Sequence, residues 1–189
     1  MRNIIKDGSV VADHWTTLRL ADDDTPETYL LPQGAVIVPL SVWQAQWRTL
    51  AQRGDVGVWF ASHERIDAVA NDVIDNLADG ARAALLALPV LAIEFPKFTD
   101  GRGYSIAYLA RGRLGYTGEL RAIGDVLRDQ LFFMQRVGFN AFEVRADRDV
   151  HDALKGLSDF SQPYQNSVDQ PAPLFRRLDR LALPESLPS

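Results

Sequence analysis

Glycines and cationic side chains cluster between residues 95 and 125, and this is the part of the sequence best suited to chemistry. The stretch FPKFTDGRGYSIAYLARGRLGYTGELRAIGD combines Lys97, Arg102 and Arg121 with several glycines, directly after an apolar run. Glycine lets the backbone approach a ligand closely, and arginine and lysine bind negative groups. The combination indicates a site for an anion. Tight turns and a solvated helix face are the alternative explanation of the same residues.

Two predicted strands would bring the parts of this stretch together. The apolar run at 89–95 is typical of a buried strand, and a second short strand is predicted at 119–123. Ligands of parallel α/β folds lie at the carboxyl ends of the strands, so the loops after both strands would share one rim. The predicted rim consists of Lys97, Asp100, Gly101, Arg102, Gly103, Tyr104, Ser105, Arg121 and Asp125.

The residues of this rim have predicted roles in holding an anion. Arg102 and Arg121 would bind it by charge-assisted hydrogen bonds, and Lys97 would add positive charge. Backbone N–H groups of residues 101–105, at the start of a helix, would add donors. Asp125 would orient Arg121 or cap the next helix. The sequence also allows a different interpretation, in which Glu94 and Asp125 form a catalytic carboxylate pair.

Other kinds of site are disfavoured. The chain has no cysteine, which excludes disulfides, cysteine-ligated clusters and thiol nucleophiles. The GRGYSI stretch has isoleucine where the dinucleotide fingerprint has its third glycine, and no P-loop pattern occurs. His14, His63 and His151 lack metal-ligand spacing, so we expect no metal site.

Alternating strand and helix patterns predict an α/β fold. Predicted strands alternate with helical patterns and lie at 35–40, 56–60, 89–95, 119–123 and 140–144. Asp7-Gly8 between two short alternating runs predicts an N-terminal hairpin over 3–18. We expect a mostly parallel sheet of βα units, open and covered on both faces. An incomplete βα barrel is the alternative, because five units are too few to close a regular eight-fold barrel.

The connections are predicted to be helical, and the chain ends in an arm. Helical spacing of apolar residues covers 64–79, 81–88, 103–113 and 149–157. A further helix is predicted after Asp125, with Gly138 just beyond its end. Residues 158–189 are rich in proline, serine and glutamine, which predicts an extended arm that packs on the body or reaches a partner. We interpret residues 1–189 as a single α/β domain.

The overall composition limits the classes of partner. Hydrophobic residues make up 47% of the chain, charged residues 24%, and the net charge is −5. An acidic chain argues against bulk nucleic-acid binding, while one local cationic pocket remains compatible with it. No apolar run approaches the length of a membrane span, and the N-terminus lacks a signal-peptide pattern. We expect a cytoplasmic protein, and the aromatic residues and the arm are compatible with a homodimer.

Residues 98–142 resemble a bacterial family, the domain of unknown function 934 family. Three motifs carry the resemblance: FTDGRGYS at 98–105, GELRAIGDVLRDQ at 118–130 and GFNAF at 138–142. The early IIKDG hairpin and the late segment from YQ to PLFRR are also similar to the family. The resemblance therefore extends over nearly the whole chain.

The family resemblance implies a role in assimilatory sulfite reduction. Members are labelled as oxidoreductases and are associated with sulfite reductase, which implies an accessory or electron-transfer-associated protein. Without cysteine, electron transfer would require a bound flavin or nicotinamide, so a cofactor-dependent oxidoreductase is one alternative. A protein-interaction module acting through the 158–189 arm is another. The expected partners are sulfite reductase and a small anion or phosphate-bearing ligand.

Overall fold

The computed structural model describes residues 2–66, 80–161, 163–173 and 176. The predicted helix over 64–79 and the end of the arm lie mostly outside these residues. The described strands are β1 Arg2–Lys6, β2 Ser9–Asp13, β3 Thr16–Thr17, β4 Val36–Pro39, β5 Val56–Phe60, β6 Val90–Phe95, β7 Glu119–Gly124 and β8 Ala141–Phe142. The described helices are α1 Leu40–Leu50, α2 Ala81–Leu86, α3 Arg102–Tyr108, α4 Arg128–Arg136 and α5 Val150–Leu154. A π-helical turn, Leu109–Arg113, extends α3, and a 3-10 turn, Lys155–Ser158, extends α5.

All eight strands belong to one sheet, in the order β2-β1-β8-β7-β6-β5-β4-β3. The strands from β3 to β8 pair in parallel, whereas β1 is antiparallel to both β2 and β8. Asp7 and Gly8 form the turn between β1 and β2, both with positive φ. The prediction of a mostly parallel α/β sheet with an N-terminal hairpin is confirmed.

The short link between β2 and β3 requires the sheet to curl. These strands form the two opposite edges, yet only His14 and Trp15 separate Asp13 from Thr16. In a flat sheet, seven strand spacings of about 4.8 Å would put the edges about 34 Å apart. Three residue steps reach at most about 11 Å. The sheet is therefore curled into a half-barrel, as in the alternative that the sequence left open.

The described helices pack on one face of this sheet, the outer face. From β3 to β8 the strands follow chain order without a reversal, and right-handed crossovers then place the described helices between them on the same side. The main core joins Trp43 of α1, Ile106 of α3 and Leu131 of α4 to alternate strand residues such as Leu120 and Ala122. The expected helical cover on both faces is wrong for this part of the chain, because it needs a reversal in strand order.

The inner face of the curl has a separate filling. Its apolar part consists of Trp15, Ile37, Trp59, Val90, Ala92 and Ile123. Its charged part, which we call the inner charge network, consists of Arg2, Lys6, Asp13, Glu119, Arg121 and Glu143. The network joins the hairpin to the parallel strands.

The arm lies against α4 over its described part. The ring of Phe160 lies 5.1 Å from that of Phe132, centroid to centroid. Arg136 of α4 donates from Nη2 to the carbonyl of Gln165, and its Nε lies 3.6 Å from Asp169 Oδ1. These contacts hold the arm on the outer surface of the helical layer. Across the described residues, no helix is long and apolar enough to cross a membrane.

Candidate functional site

The loop from β6 to α3 carries most of the predicted rim and is fixed by groups from the next βα unit. Phe98 N donates to Asp125 Oδ2 at 2.8 Å, and Gln130 Nε2 donates to Phe98 O at 3.3 Å. Gly124 has φ +94°, and a Cβ there would lie 2.4 Å from Phe95 O. A side chain at Gly124 would therefore push the two strand ends apart.

Arg102, the first residue of α3, is held in one orientation. Its Nε donates to Asp100 Oδ1 at 3.0 Å, and its Nη2 donates to Asp100 Oδ2 at 2.7 Å and to Ser62 Oγ at 2.9 Å. Ser62 Oγ donates to Asp100 Oδ2 at 2.7 Å. The Arg102 guanidinium and the Ser62 hydroxyl hold the pKa of Asp100 far below its usual range. Asp100 therefore stays ionised and offsets part of the charge that Arg102 offers a ligand.

A cleft of about 350 Å³ opens beside Arg102, between the loop after β5 and the outer side of α3. The lining combines polar and charged side chains with three aliphatic ones, Ile66, Ile106 and Leu109, which we call its floor. The lining consists of Ser62, His63, Glu64, Arg65, Ile66, Arg102, Ser105, Ile106 and Leu109. We call this the Arg102 cleft. Its mixture of two arginines, hydroxyls and an apolar floor suits a small organic or inorganic anion.

Glu64 is the acidic group of the Arg102 cleft. Its Oε2 accepts a hydrogen bond from Ala61 N at 2.6 Å. Burial raises the pKa of Glu64, and the nearby Glu94 carboxylate adds to this effect. Glu64 therefore gives up its negative charge at a higher pH than an exposed glutamate.

The loop after β6 divides the predicted rim residues into exposed and packed groups. Lys97, Gly101 and Ser105 are exposed, and Ser105 lines the Arg102 cleft. Tyr104 is half-buried between Phe95 and Phe133, with ring centroids 5.1 and 5.0 Å away. Gly103 is buried. Tyr104 and Gly103 thus pack α3 against the sheet.

Two of the predicted helix-terminal donors, the N–H groups of Arg102 and Tyr104, already have partners within the chain. Arg102 N donates to Asp100 Oδ1 at 3.1 Å, so this N–H is occupied by a carboxylate of the chain itself. The helix that follows has only 7 residues. The Arg102 side chain is thus the main cationic group that this loop offers to the cleft.

Arg121 does not join Arg102, which corrects the predicted two-loop rim. Arg121 points to the inner face of the sheet, where its side chain is only 1% exposed. Its Nε donates to Glu119 Oε1 at 2.6 Å and its Nη1 to Asp13 Oδ2 at 3.0 Å. The reason is the strand period: Arg121 alternates with Leu120 and Ala122, which face the helices. Arg102 lies on the helical side.

Asp125 does not cap the next helix, which is a second correction. The helix α4 has Leu127 at its N-cap, and Gln130 Oε1 accepts from Leu127 N at 2.9 Å. Asp125 instead accepts from Phe98 N and from Arg145 Nη1, the latter at 2.7 Å. Asp125 is thus the clamp of the β6–α3 loop.

The alternative carboxylate pair is engaged with two different arginines. Glu94 forms an ion pair with Arg19, whose guanidinium carbon lies 5.0 Å from the Trp59 ring centroid. Asp125 pairs with Arg145. Each carboxylate is thus fixed by its own cation.

Two groups of residues were missed by the sequence prediction. Ser62, His63 and Glu64 follow β5 as the predicted loop follows β6, so the same strand-end rule would have found them. The inner charge network had a signal in the alternation of charged and apolar residues from Glu119 to Ile123. No sequence pattern indicated that Asp13, more than a hundred residues away in sequence, pairs with Arg121.

A second cleft, of about 380 Å³, lies where β7 and β8 end. Its charged side chains pair with one another, as in the contact of Arg128 with Asp152 at 3.3 Å. Among the residues that the structure describes, no group of three or more histidine, aspartate or glutamate side chains is placed to hold a metal ion.

The fold and site define a class: an α/β protein with a curled, mostly parallel sheet and a polar cleft at the carboxyl edge of its strands. The model of a family described as "Bacterial protein of unknown function (DUF934)" matches residues 57–175, and the chain belongs to this family. The match confirms the family resemblance and contains every residue that lines the Arg102 cleft. Comparisons with curated proteins and with solved structures give no match.

Proposed function

We propose that this chain is an accessory protein of assimilatory sulfite reduction that binds an anion in the Arg102 cleft. The link to sulfite reduction comes from the family resemblance, and sulfite reductase is the partner that it implies. A cytoplasmic location fits this role. The absence of cysteine favours binding over electron transfer by the chain's own side chains.

The orientation of Arg102 is the observation that carries this proposal. Its Nε and Nη2 edge is fixed by Asp100 and Ser62, while the side chain remains 62% exposed at the cleft. An arginine held by the protein loses less conformational freedom when it binds an anion than a free one. Ser105 and His63 add hydrogen-bonding groups to the same cleft.

Anion binding is tested by calorimetry and thermal shift with sulfite, sulfate and phosphate. Arg102→Ala should strongly reduce the binding heat, because it removes the arginine that the β6–α3 loop places at the cleft. Arg19→Ala is the matched control: it removes an arginine that is also paired with a carboxylate, Glu94, but does not line the cleft. Equal losses in both variants, or no binding by the unmodified protein, would overturn the site.

The link to sulfite reduction is tested separately with purified sulfite reductase. Addition of this protein in molar excess should raise the rate of sulfite consumption, and the two proteins should co-elute in size-exclusion chromatography. An unchanged rate together with separate elution would contradict the accessory role. A visible absorption spectrum of the purified protein tests the cofactor-dependent alternative, since a bound flavin gives a band and a purely accessory protein gives none.

The exposed aromatic residues of the arm favour a second candidate function, a protein-interaction module. Phe160 and Tyr164 are 66% and 74% exposed. Large apolar side chains in contiguous exposed positions mark interaction surfaces. Tyr164→Ala should then weaken co-elution with sulfite reductase, while Leu30→Ala, at a 90% exposed apolar residue before β4, serves as the control. Loss of co-elution with intact anion binding would favour this candidate over the first.

A further inference from the structure

The Arg102 cleft has more apolar surface than an inorganic oxyanion can use. Leu109 is half-buried and presents most of the exposed surface of the floor, since Ile66 and Ile106 are only 1% and 5% exposed. A sulfate or phosphate ion contacts donors alone and gains nothing from an aliphatic floor. A volume of about 350 Å³ lies near the lower end of the range for organic ligand sites. The floor thus indicates a ligand that carries an apolar body beside its anionic group.

Arg102 and Glu64, two of the three charged side chains that line the cleft with Arg65, differ in what they recognise. Arg102 presents N–H donors, which suit a phosphate or a sulfate group. Glu64 uses Oε2 for the Ala61 N–H, and its carboxylate is a pure acceptor when ionised. A ligand that satisfies both Arg102 and Glu64 carries an anionic group for the arginine and an N–H donor for the carboxylate.

We infer that the Arg102 cleft binds a mononucleotide whose base carries an exocyclic amino group. The phosphate lies at Arg102, the flat base lies on Ile106 and Leu109, and the amino group donates to Glu64. This inference rests on the proposed anion site and specifies its ligand. A free mononucleotide and the AMP half of a dinucleotide cofactor share this chemistry.

The first experiment compares ligands by calorimetry on the full chain. AMP should bind at least ten-fold more tightly than ribose 5-phosphate, which lacks the base, and than sulfate. AMP should also bind more tightly than IMP, which has a carbonyl in place of the amino group. Titrations with NAD and FAD distinguish a free mononucleotide from a dinucleotide cofactor. Dissociation constants lower than that of AMP would assign the site to a dinucleotide.

Two variants test the floor and the base-recognising end. Leu109→Ala should reduce the advantage of AMP over ribose 5-phosphate and leave sulfate affinity within two-fold. Glu64→Gln keeps an acceptor for Ala61 N and presents an amide, so the preference for AMP over IMP should disappear or reverse. That reversal depends on hydrogen-bond polarity, and a general loss of folding does not produce it.

The outcomes separate this inference from the proposed function. If sulfate binds through Arg102 and AMP binds no more tightly, the mononucleotide inference is wrong and the anion site stands. If AMP binds and Glu64→Gln leaves its preference over IMP unchanged, the assignment of the base to Glu64 is wrong. If neither AMP nor sulfate binds, both the proposed anion site and the mononucleotide inference are wrong.

Discussion

At the residue scale, Arg121 dominates the energetics of the inner charge network. It shares this network with Asp13 and Glu119, whose side chains are 2% and 4% exposed. Removal of one member of a buried ion pair leaves the partner charge without compensation, and this is more destabilising than loss of the attraction alone. The predicted cation of the rim is in fact a structural cation of the sheet.

Arg121→Met should lower the free energy of unfolding by about 3–5 kcal/mol, the range for a broken buried ion pair. Chemical denaturation monitored by circular dichroism measures this change. Arg19→Met is the matched control, since Arg19 is 55% exposed in its pair with Glu94 and typical surface pairs contribute about 0–1 kcal/mol. Similar losses in the two variants would contradict the structural role of Arg121.

The same network predicts a pH dependence with two opposite contributions. Burial alone would raise the pKa of Asp13, but hydrogen bonds and charge from Arg2 and Arg121 outweigh it and lower the pKa. Burial raises the pKa of Glu143 despite the charge of Arg2. Asp13 therefore stabilises the fold above its ordinary pKa and loses this effect as pH falls. Glu143 stabilises the fold more when it is protonated than when it is ionised.

Glu143→Gln separates these contributions. Because the folded state holds the Glu143 proton more tightly than the unfolded state, protonation stabilises the fold as pH falls through the raised pKa. The unfolding free energy of the variant, relative to the unmodified protein, should therefore rise between pH about 4 and pH 7. Denaturant titrations across that range measure it. A difference that stays flat would show that Glu143 titrates normally.

At the element scale, the approach of α3 to β6 depends on one of two neighbouring glycines. A Cβ on Gly103 would lie 2.8 Å from Phe95 Cζ and 3.1 Å from Ile93 Cγ2. Gly101 has φ −84°, and the nearest atom to its Cβ would be 3.8 Å away. Only Gly103 is thus required by packing, although both glycines lie in the motif that suggested an anion site.

Gly103→Ala should lower the unfolding free energy by about 1–3 kcal/mol, the usual effect of overpacking. Gly101→Ala should be neutral or stabilise by up to about 1 kcal/mol, because it restricts the unfolded chain. Thermal denaturation of both variants measures the contrast. Equal effects would contradict the assignment of Gly103 to helix–strand packing.

Sequence patterns predicted the strands well because each strand lies in a regular βα rhythm. The run PVLAIEF predicted β6 to within a residue, since it is buried on both faces. The start of α4 was missed, because Asp125 is a better helix cap by type than Leu127. Asp125 does not cap α4 because its carboxylate accepts hydrogen bonds from Phe98 N and Arg145 instead.

At the scale of the whole molecule, Arg136 is the buried cation that joins the middle of the arm to the body. Arg136 contacts Gln165 and Asp169, and its side chain is largely buried. Arg136→Met should loosen the arm around Gln165 and Asp169 while the helical layer stays folded. Chymotrypsin cleavage after Tyr164 should accelerate, with the thermal midpoint of the body nearly unchanged. Arg53→Met, which removes an ion pair with Asp55 in the loop before β5, is the control.

The site was only half predictable because it depends on which face each strand residue occupies. The strand-end rule correctly put Asp100, Arg102 and Ser105 at the carboxyl edge. The rule could not predict that Arg121 of β7 faces the inside of the curl. The curled sheet has two buried faces, and the rule does not distinguish them. Alternation of residue types along a strand shows which residues share a face, but it does not show which face packs against the helices.

The chain order of the strands has a consequence for biosynthesis. The hairpin made first pairs with β8, which is made more than a hundred residues later, through Ile5 with Phe142 and Lys6 with Ala141. An emerging chain must therefore hold β1 unpaired on one side until β8 has left the ribosome. Such distant pairing slows folding. A truncated chain that ends before residue 141 would expose the open edge of β1 to other molecules.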